Sequence, residues 1–280
     1  FCAVLMSVFL KLAQSDVNVF TVGFLRFFFG FLIILPFILS SQFKIYSTNN
    51  FKFHLARSII NVPMMILGFA ALMYIPLEQI KAIGFLSPII VVILSVIILK
   101  EKIFLIRILA LIIGFIGVII ILRPGIIEIN IGAYMVLISG LMWSTVIIIT
   151  KFMSKEDSPM TILTFQYTFV SLLTLPLAII FWTNPSYESL LYIFLAAIVG
   201  TILHLCINTS YRLADLSVIQ PVWFTQLIFA SAFGFIIFGE IPDGWTWAGG
   251  ILVFSSVLII TYRENYLKKD IAKQSIPIKL

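Results

Sequence analysis

The sequence predicts an all-α membrane protein with ten transmembrane helices, arranged as two inverted five-helix repeats. Three observations carry that expectation: composition, the spacing of polar clusters, and a self-similarity between the two halves. Of 280 residues, 61% are hydrophobic and 11% charged, against about 45–50% and about 25% in soluble domains. So few charges cannot cover a water-facing surface, which excludes an ordinary soluble enzyme, a disordered chain and a disulfide scaffold. A mean hydropathy of +1.16 and 27 Phe point to lipid as the main solvent. The net charge of +6 would suggest nucleic acid in a soluble protein. Here it belongs to loops, and no nucleic-acid partner is expected. Cys2 and Cys206 lie in apolar stretches without metal-type spacing and read as buried free thiols.

A bilayer core of about 30 Å takes roughly 20 apolar residues per helix. The first span, 1–13, opens inside the run FCAVLMSVFL. It reads as shortened, and no small-residue cleavage site of a leader follows it. The second, 17–40, is stopped by SSQFKIYSTNN (40–50), and 54–75 follows. The fourth, 78–99, ends at KEK (100–102) and the fifth, 104–122, at RPG (123–125). The sixth, 131–152, gives way to SKEDSP (154–159) before 159–182, 188–211, 216–239 and 244–262 complete the set. These breaks supply the charge and turn chemistry that loops need. Long Leu/Ile/Phe runs exclude the short alternating segments of a membrane barrel.

Ten spans return the chain to the side on which it starts. Of 18 Lys and Arg, Lys11 and Arg123 fall on the far side and Arg26 and Lys81 fall inside spans. The remainder, Arg57 included, lie in loops and helix ends on the side of the termini. That bias makes both termini cytoplasmic.

At an offset of 139–140 residues the halves superimpose. IPLEQIKAIGFLSPIIVVILSVIILKE (75–101) meets ADLSVIQPVWFTQLIFASAFGFIIFGE (214–240) without a gap, and Glu101 falls on Glu240. Pro36 falls on Pro176 and Arg26 on Gln166. Each repeat has five spans, an odd number, so the second enters the membrane from the opposite side. The expected units are 1–125 and 126–264, followed by a basic cytoplasmic tail, 265–280. Inverted repeats build alternating-access transporters with substrate held near the midplane. A duplicated scaffold without transport remains the bland alternative.

The strings ARSIINVPMMILGFAALMYIPLEQIKAIGFLSPIIVVILSVIILKEK (56–102) and RILALIIGFIGVIIILRPG (107–125) carry a resemblance, as does the second-half segment YRLADLSVIQPVWFTQLIFASAFGFIIFGEIPDGWTWAGGILVFSSVLIITYRE (211–264). The chain resembles the drug/metabolite transporter superfamily, specifically its ten-span EamA-type members. Within these it is similar to the bacterial branch of S-adenosylmethionine uptake carriers and related riboflavin-type and amino-acid-metabolite carriers. The resemblance implies a secondary transporter of the inner membrane, with no enzymatic activity and no bound cofactor. It also implies a cavity bordered by the third, fourth, eighth and ninth spans.

Polar groups inside lipid cost several kcal/mol unless satisfied, so each one within a span needs a reason. Arg26, near the middle of its span, reads either as a clamp for a substrate carboxylate or phosphate or as a buried helix-holding group. Lys81 pairs with Glu78, snorkels, or points inward beside Gln79 or Phe85. Its repeat mate Gln220 precedes Pro221, which, like Pro88, frees a helical carbonyl. His204 stands one turn before Asn208 and reads as a proton relay or as a hydrogen-bonded neutral histidine. Gln166, Tyr167 and Asn61 have the same ambiguity. Trp143, Trp223 and Phe85 supply flat rings near the repeat interface, suited to an adenine, an isoalloxazine or a cation. Trp182, Trp245 and Trp247 read as interfacial anchors. No acidic residue sits at the centre of a span, which favours a facilitator or exchanger over a proton-coupled carrier. No catalytic or metal motif occurs in the short loops, so an intramembrane lipid-modifying enzyme is the weaker class.

Overall fold

A computed structural model of the chain describes residues 1–84, 86–100, 105–122, 130–239 and 244–259, apart from 246, 253 and 257. The expected site residue Phe85 lies outside the described residues, as do Glu101, Arg123, Glu240 and the tail. Every regular element among the described residues is helical.

In chain order these are α1 (Cys2–Ala13), α2 (Val19–Ser40), α3 (Phe51–Ala70), α4 (Leu77–Gly84), α5 (Leu86–Leu99), α6 (Leu105–Leu122), α7 (Ile131–Met153), α8 (Pro159–Ile180), α9 (Tyr187–Leu213), α10 (Leu216–Ile219) and α11 (Gln226–Phe238). A further apolar helix covers Trp247–Ser256. Six segments are long and apolar enough to cross a membrane: Val19–Ser40, Phe51–Met73, Gln79–Leu99, Ile131–Met153, Pro159–Ile180 and Tyr187–Leu213. Shorter apolar helices stand at the remaining expected spans.

Starts are set by caps. The Asn18 side chain accepts from the amides of Phe20 and Thr21, Ser158 from Thr161, and Ser186 from Ser189, which satisfies orphan N–H groups at each helix start. Both α2 and α8 are 22 residues long; their caps stand 140 residues apart, and so do their interior prolines, Pro36 and Pro176.

One expected span, the ninth, is not a single α-helix. The fourth runs as α4 and α5 on either side of residue 85, which lies outside the described residues. The ninth begins as the one-turn α10, tightens into a 3₁₀ segment over Gln220–Thr225, and becomes α-helical again at Gln226. Proline supplies the reason: without an N–H it cannot continue the i to i−4 ladder.

The helices pair across the chain's midpoint: α1 with α9, α2 with α8, α3 with α7, α4 with α11, and α5 with α7 and α10. The largest buried cluster draws on both halves, with Val4, Val8, Leu10, Ile75, Leu77, Val136, Ile193 and Ala230. Outward faces carry Phe37, Ile97, Leu105, Ile116, Ile179, Leu191, Ile202 and Ile236, all exposed. In water such a surface would aggregate; against lipid tails it costs nothing. The same reasoning corrects the cysteine expectation. Cys206 is exposed and Cys2 half-buried, because an apolar position in this sequence faces lipid as readily as core. Trp182, Trp245 and Trp247 are exposed, as anchors require.

Candidate functional site

Between the paired helices lies a cavity of two lobes that share Lys81, Trp143, Trp223 and Gln226. One lobe, of about 180 Å³, is bounded by α3, α4, α5, α7 and the 3₁₀ segment, with Gly68, Ser87, Pro88, Ser139, Gly140 and Gln220 in its wall. The other, of about 160 Å³, is bounded by α1, α2, α3, α8 and α9 and lined by Met6, Arg26, Phe27, Asn61, Gln166 and His204. The break in α-helical structure at Gln220–Thr225 therefore abuts the first lobe. Irregular backbone at membrane depth is tolerated where it lines a cavity.

Arg26 is 1% exposed, and its Nε and Nη1 have no hydrogen-bond partner. Nη2 meets Met6 Sδ at 3.5 Å. The guanidinium carbon lies 4.3 Å from the Phe27 ring centroid and 5.5 Å from that of Tyr167, cation–π contacts that offset part of the desolvation. Gly200 leaves the room: a Cβ there would run into the guanidinium and Met6 Sδ. Asn61, also 1% exposed, has both side-chain heteroatoms unpartnered. Gln166 uses Oε1 to accept from Arg57 Nη2 at 2.8 Å and leaves Nε2 unpartnered. Lys81 Nζ donates to Ser7 Oγ at 2.9 Å. Trp143 stands edge-on to Trp223, centroids 6.2 Å apart at 74°, and to His204, 6.4 Å apart at 73°.

Of the residues expected to bind substrate, Arg26, Asn61, Lys81, Trp143, Gln166, His204, Gln220 and Trp223 line the cavity. Tyr167 stands behind it, packed on Arg26 and hydrogen-bonded to Thr201 at 2.9 Å. Asn208 points elsewhere and donates to the Pro159 carbonyl at 3.4 Å. Gln226 reaches both lobes and was open to sequence reasoning as a polar residue well inside the ninth span. Ser7 gave no signal, since a serine in an apolar run is ordinary. Arg57 is the substantive correction. Counted with the loop and helix-end cations, it is buried in α3, 2% exposed, and bridges to α8 through Gln166 and the Ile162 carbonyl at 3.3 Å. The sequence position one turn and a half into α3 looked peripheral; the packing of α8 covers it.

Beyond Arg57 the end of the bundle is latched. Asp157, between α7 and α8, accepts from Thr48 Oγ1 at 2.7 Å and Asn50 Nδ2 at 3.2 Å, and meets His54 Nε2 at 3.1 Å. Asn50 Nδ2 also reaches Glu156 at 3.1 Å, and the His54 ring stacks on Phe165, 4.2 Å between centroids. Lys151 Nζ donates to the carbonyls of Tyr211 and Ala214, each at 2.7 Å, closing the end of α9. At the opposite end, Asn18 bonds the Phe181 carbonyl and Asp16 accepts from Ser189 Oγ and from the Ser186 amide. The Ser189 hydroxyl holds the Asp16 carboxyl below the usual carboxylate range. Among the described residues no cluster of His, Cys, Asp or Glu could hold a metal.

Comparison with known proteins places the chain in a family. The EamA-like transporter family matches twice, over residues 1–123 and 130–262. An S-adenosylmethionine uptake transporter of Rickettsia prowazekii (strain Madrid E) is 24% identical over 91% of this chain and 87% of its own. A riboflavin transporter of Vibrio cholerae is 29% identical over 88% and 83%. A protein of known crystal structure superposes with a TM-score of 0.76 over 95% of this chain and 96% of the other, at 16% identity, which speaks for the fold alone. The expectation of a membrane carrier rather than an enzyme holds on these relatives, and the chain belongs to the EamA-like transporter family.

Proposed function

We propose that the protein is a secondary carrier of a small metabolite, working by alternating access in the bacterial inner membrane. The observation that carries this reading is the convergence of unpartnered polar atoms, on Arg26, Asn61 and Gln166, upon one cavity between the two halves. Buried polar groups are ordinarily satisfied, so a set left open around a void is suited to a ligand. S-adenosylmethionine, or a similar amino-acid or nucleoside-type metabolite, is the first candidate, supported by the rickettsial relative. A riboflavin-like flavin is the second, favoured by the vibrio relative and by the Trp143–Trp223 pair.

Ten spans in two inverted repeats, 1–125 and 126–264, complete the reading. The double family match supports it, as do the matched α2 and α8. The pairing of the helices supports it too. Exchanging the halves turns the α1–α9 contact into that of α7 with α3, and returns α2–α8 to itself. The basic bias of the loops supports cytoplasmic termini, with a tail over 265–280.

Uptake by purified protein in proteoliposomes, across a panel of labelled metabolites, tests the carrier reading. Saturable flux for at least one compound is expected, with about a hundred-fold loss in Arg26→Ala if two charge-assisted bonds to substrate go with the side chain. Flux that is linear in every compound removes it. Insensitivity of the flux to collapse of the pH gradient is expected of a facilitator or exchanger.

A further inference from the structure

Both cations of the cavity face the same void, and no Asp or Glu stands among its described lining residues. That leaves the two-lobed site with a fixed positive sign at one part and a flat aromatic wall at another. Arg26 presents Nε and Nη1 unpartnered, and Asn61 contributes a free amide N–H donor beside it in the same lobe. Lys81, which belongs to both lobes, adds ammonium charge where they join. At that same junction Trp143 and Trp223, which also belong to both lobes, stand edge-on and offer ring surface.

A buried guanidinium without a counter-ion is costly unless something brings the charge to it. Ordinary packing does not explain its retention here: the contacts of Arg26 with Met6, Phe27 and Tyr167 leave Nε and Nη1 without a partner. Arg57 offers the internal comparison. It is as deeply buried, but it spends Nη1 and Nη2 on a carbonyl and an amide oxygen, as a structural arginine does. Arg26 leaves both Nε and Nη1 unpartnered among the described residues, and it is the one of the two that lines the void.

We infer that the transported substrate is an organic acid bearing a planar ring. Its carboxylate or phosphate is held by Arg26, Asn61 and Lys81, and its ring lies against Trp143 and Trp223. The inference rests on the carrier reading and narrows its substrate class. The acid group supplies the missing acceptors and cancels the buried charge. The ring replaces water on a wall that has little to offer a polar solvent. S-adenosylmethionine meets the requirement through its carboxylate and adenine, while its sulfonium finds no carboxylate among the described lining residues. Riboflavin has the ring without the acid.

Equilibrium binding to purified protein in nanodiscs tests this with two matched pairs. Riboflavin 5′-phosphate against riboflavin probes a phosphate head; indole-3-propionate against indole-3-propionamide probes a carboxylate head. At least one acid is expected to bind about ten-fold or more tightly than its neutral partner, and the pair that discriminates names the head group. Arg26→Gln and Lys81→Gln should each shrink that preference, with Arg26→Lys keeping part of it. Equal or tighter binding of both neutral partners, no binding of either acid, or a preference that survives both glutamine variants overturns the inference. If Arg26→Gln does not fold, the wild-type pairs and Lys81→Gln still decide. Saturable flux of a metabolite without acid preference would leave the carrier reading standing and sink this one. Acid-selective binding without flux would do the reverse.

Discussion

A guanidinium at the centre of a bilayer costs about 2.5–3.5 kcal/mol on insertion scales, and Arg26 offsets that with a few soft contacts. Its position depends on a neighbour without a side chain. Gly200→Ala would push a Cβ into the guanidinium and Met6 Sδ, and the guanidinium, buried against Phe27 and Tyr167, must shift to admit it. The expected outcome is a destabilisation of about 1–3 kcal/mol in thermal or denaturant unfolding, together with weakened ligand binding. Unchanged stability with unchanged binding would mean that the arginine has another place to go. This arginine was legible in the sequence because a lone cation inside an apolar run has no bland explanation at the surface. Gly200 was not, since a glycine in a helix announces neither its neighbour nor its distance. Arg57 was misjudged for a related reason: near a helix start, water or protein can cover a side chain, and only the packing of α8 decides.

At the scale of elements, the interrupted ninth span was half legible. Pro221 marked where the ladder fails, and the break does sit beside the cavity. That the ninth would tighten into six residues of 3₁₀ helix was not readable, because proline fixes where a bond is lost and leaves the repair to the surroundings. The latch around Asp157 escaped sequence reading altogether. His54 and Asp157 are separated by 103 residues, and their meeting depends on α3 lying along α8. Asp157→Ala takes the acceptor from Thr48 and His54 and leaves Asn50 only Glu156, a loss of about 1–3 kcal/mol for each group left buried and unpaired. In a background without Cys2 and Cys206, a cysteine at Ser58, 1% exposed in this state, should then react with a maleimide several-fold faster. An unchanged rate would show that the α3–α8 contact itself keeps this end shut.

At the scale of the whole molecule, the membrane class followed from composition, and the pairing of helices did not. Hydropathy counts spans but is blind to which spans touch, since every lipid-compatible face looks alike. The orientation remains a statement about charge that labelling can examine. With the α2–α3 connection inside, a cysteine at Gln42 should be shielded from an impermeant maleimide in intact cells, while one at Asn184, between α8 and α9, is reached from outside. The opposite pattern would invert the molecule and exchange the two sets of end contacts between cytoplasm and exterior.

The cross-pairing of the halves also bears on how the protein is made. Tyr167, which covers Arg26, and Gly200, which admits it, both lie in the second half. A ribosome that has delivered only the first five spans leaves that guanidinium with neither. The early half must therefore enter the bilayer with its most polar residue still in search of a site, by snorkelling or by lingering at the insertion machinery, until α8 and α9 arrive to enclose it.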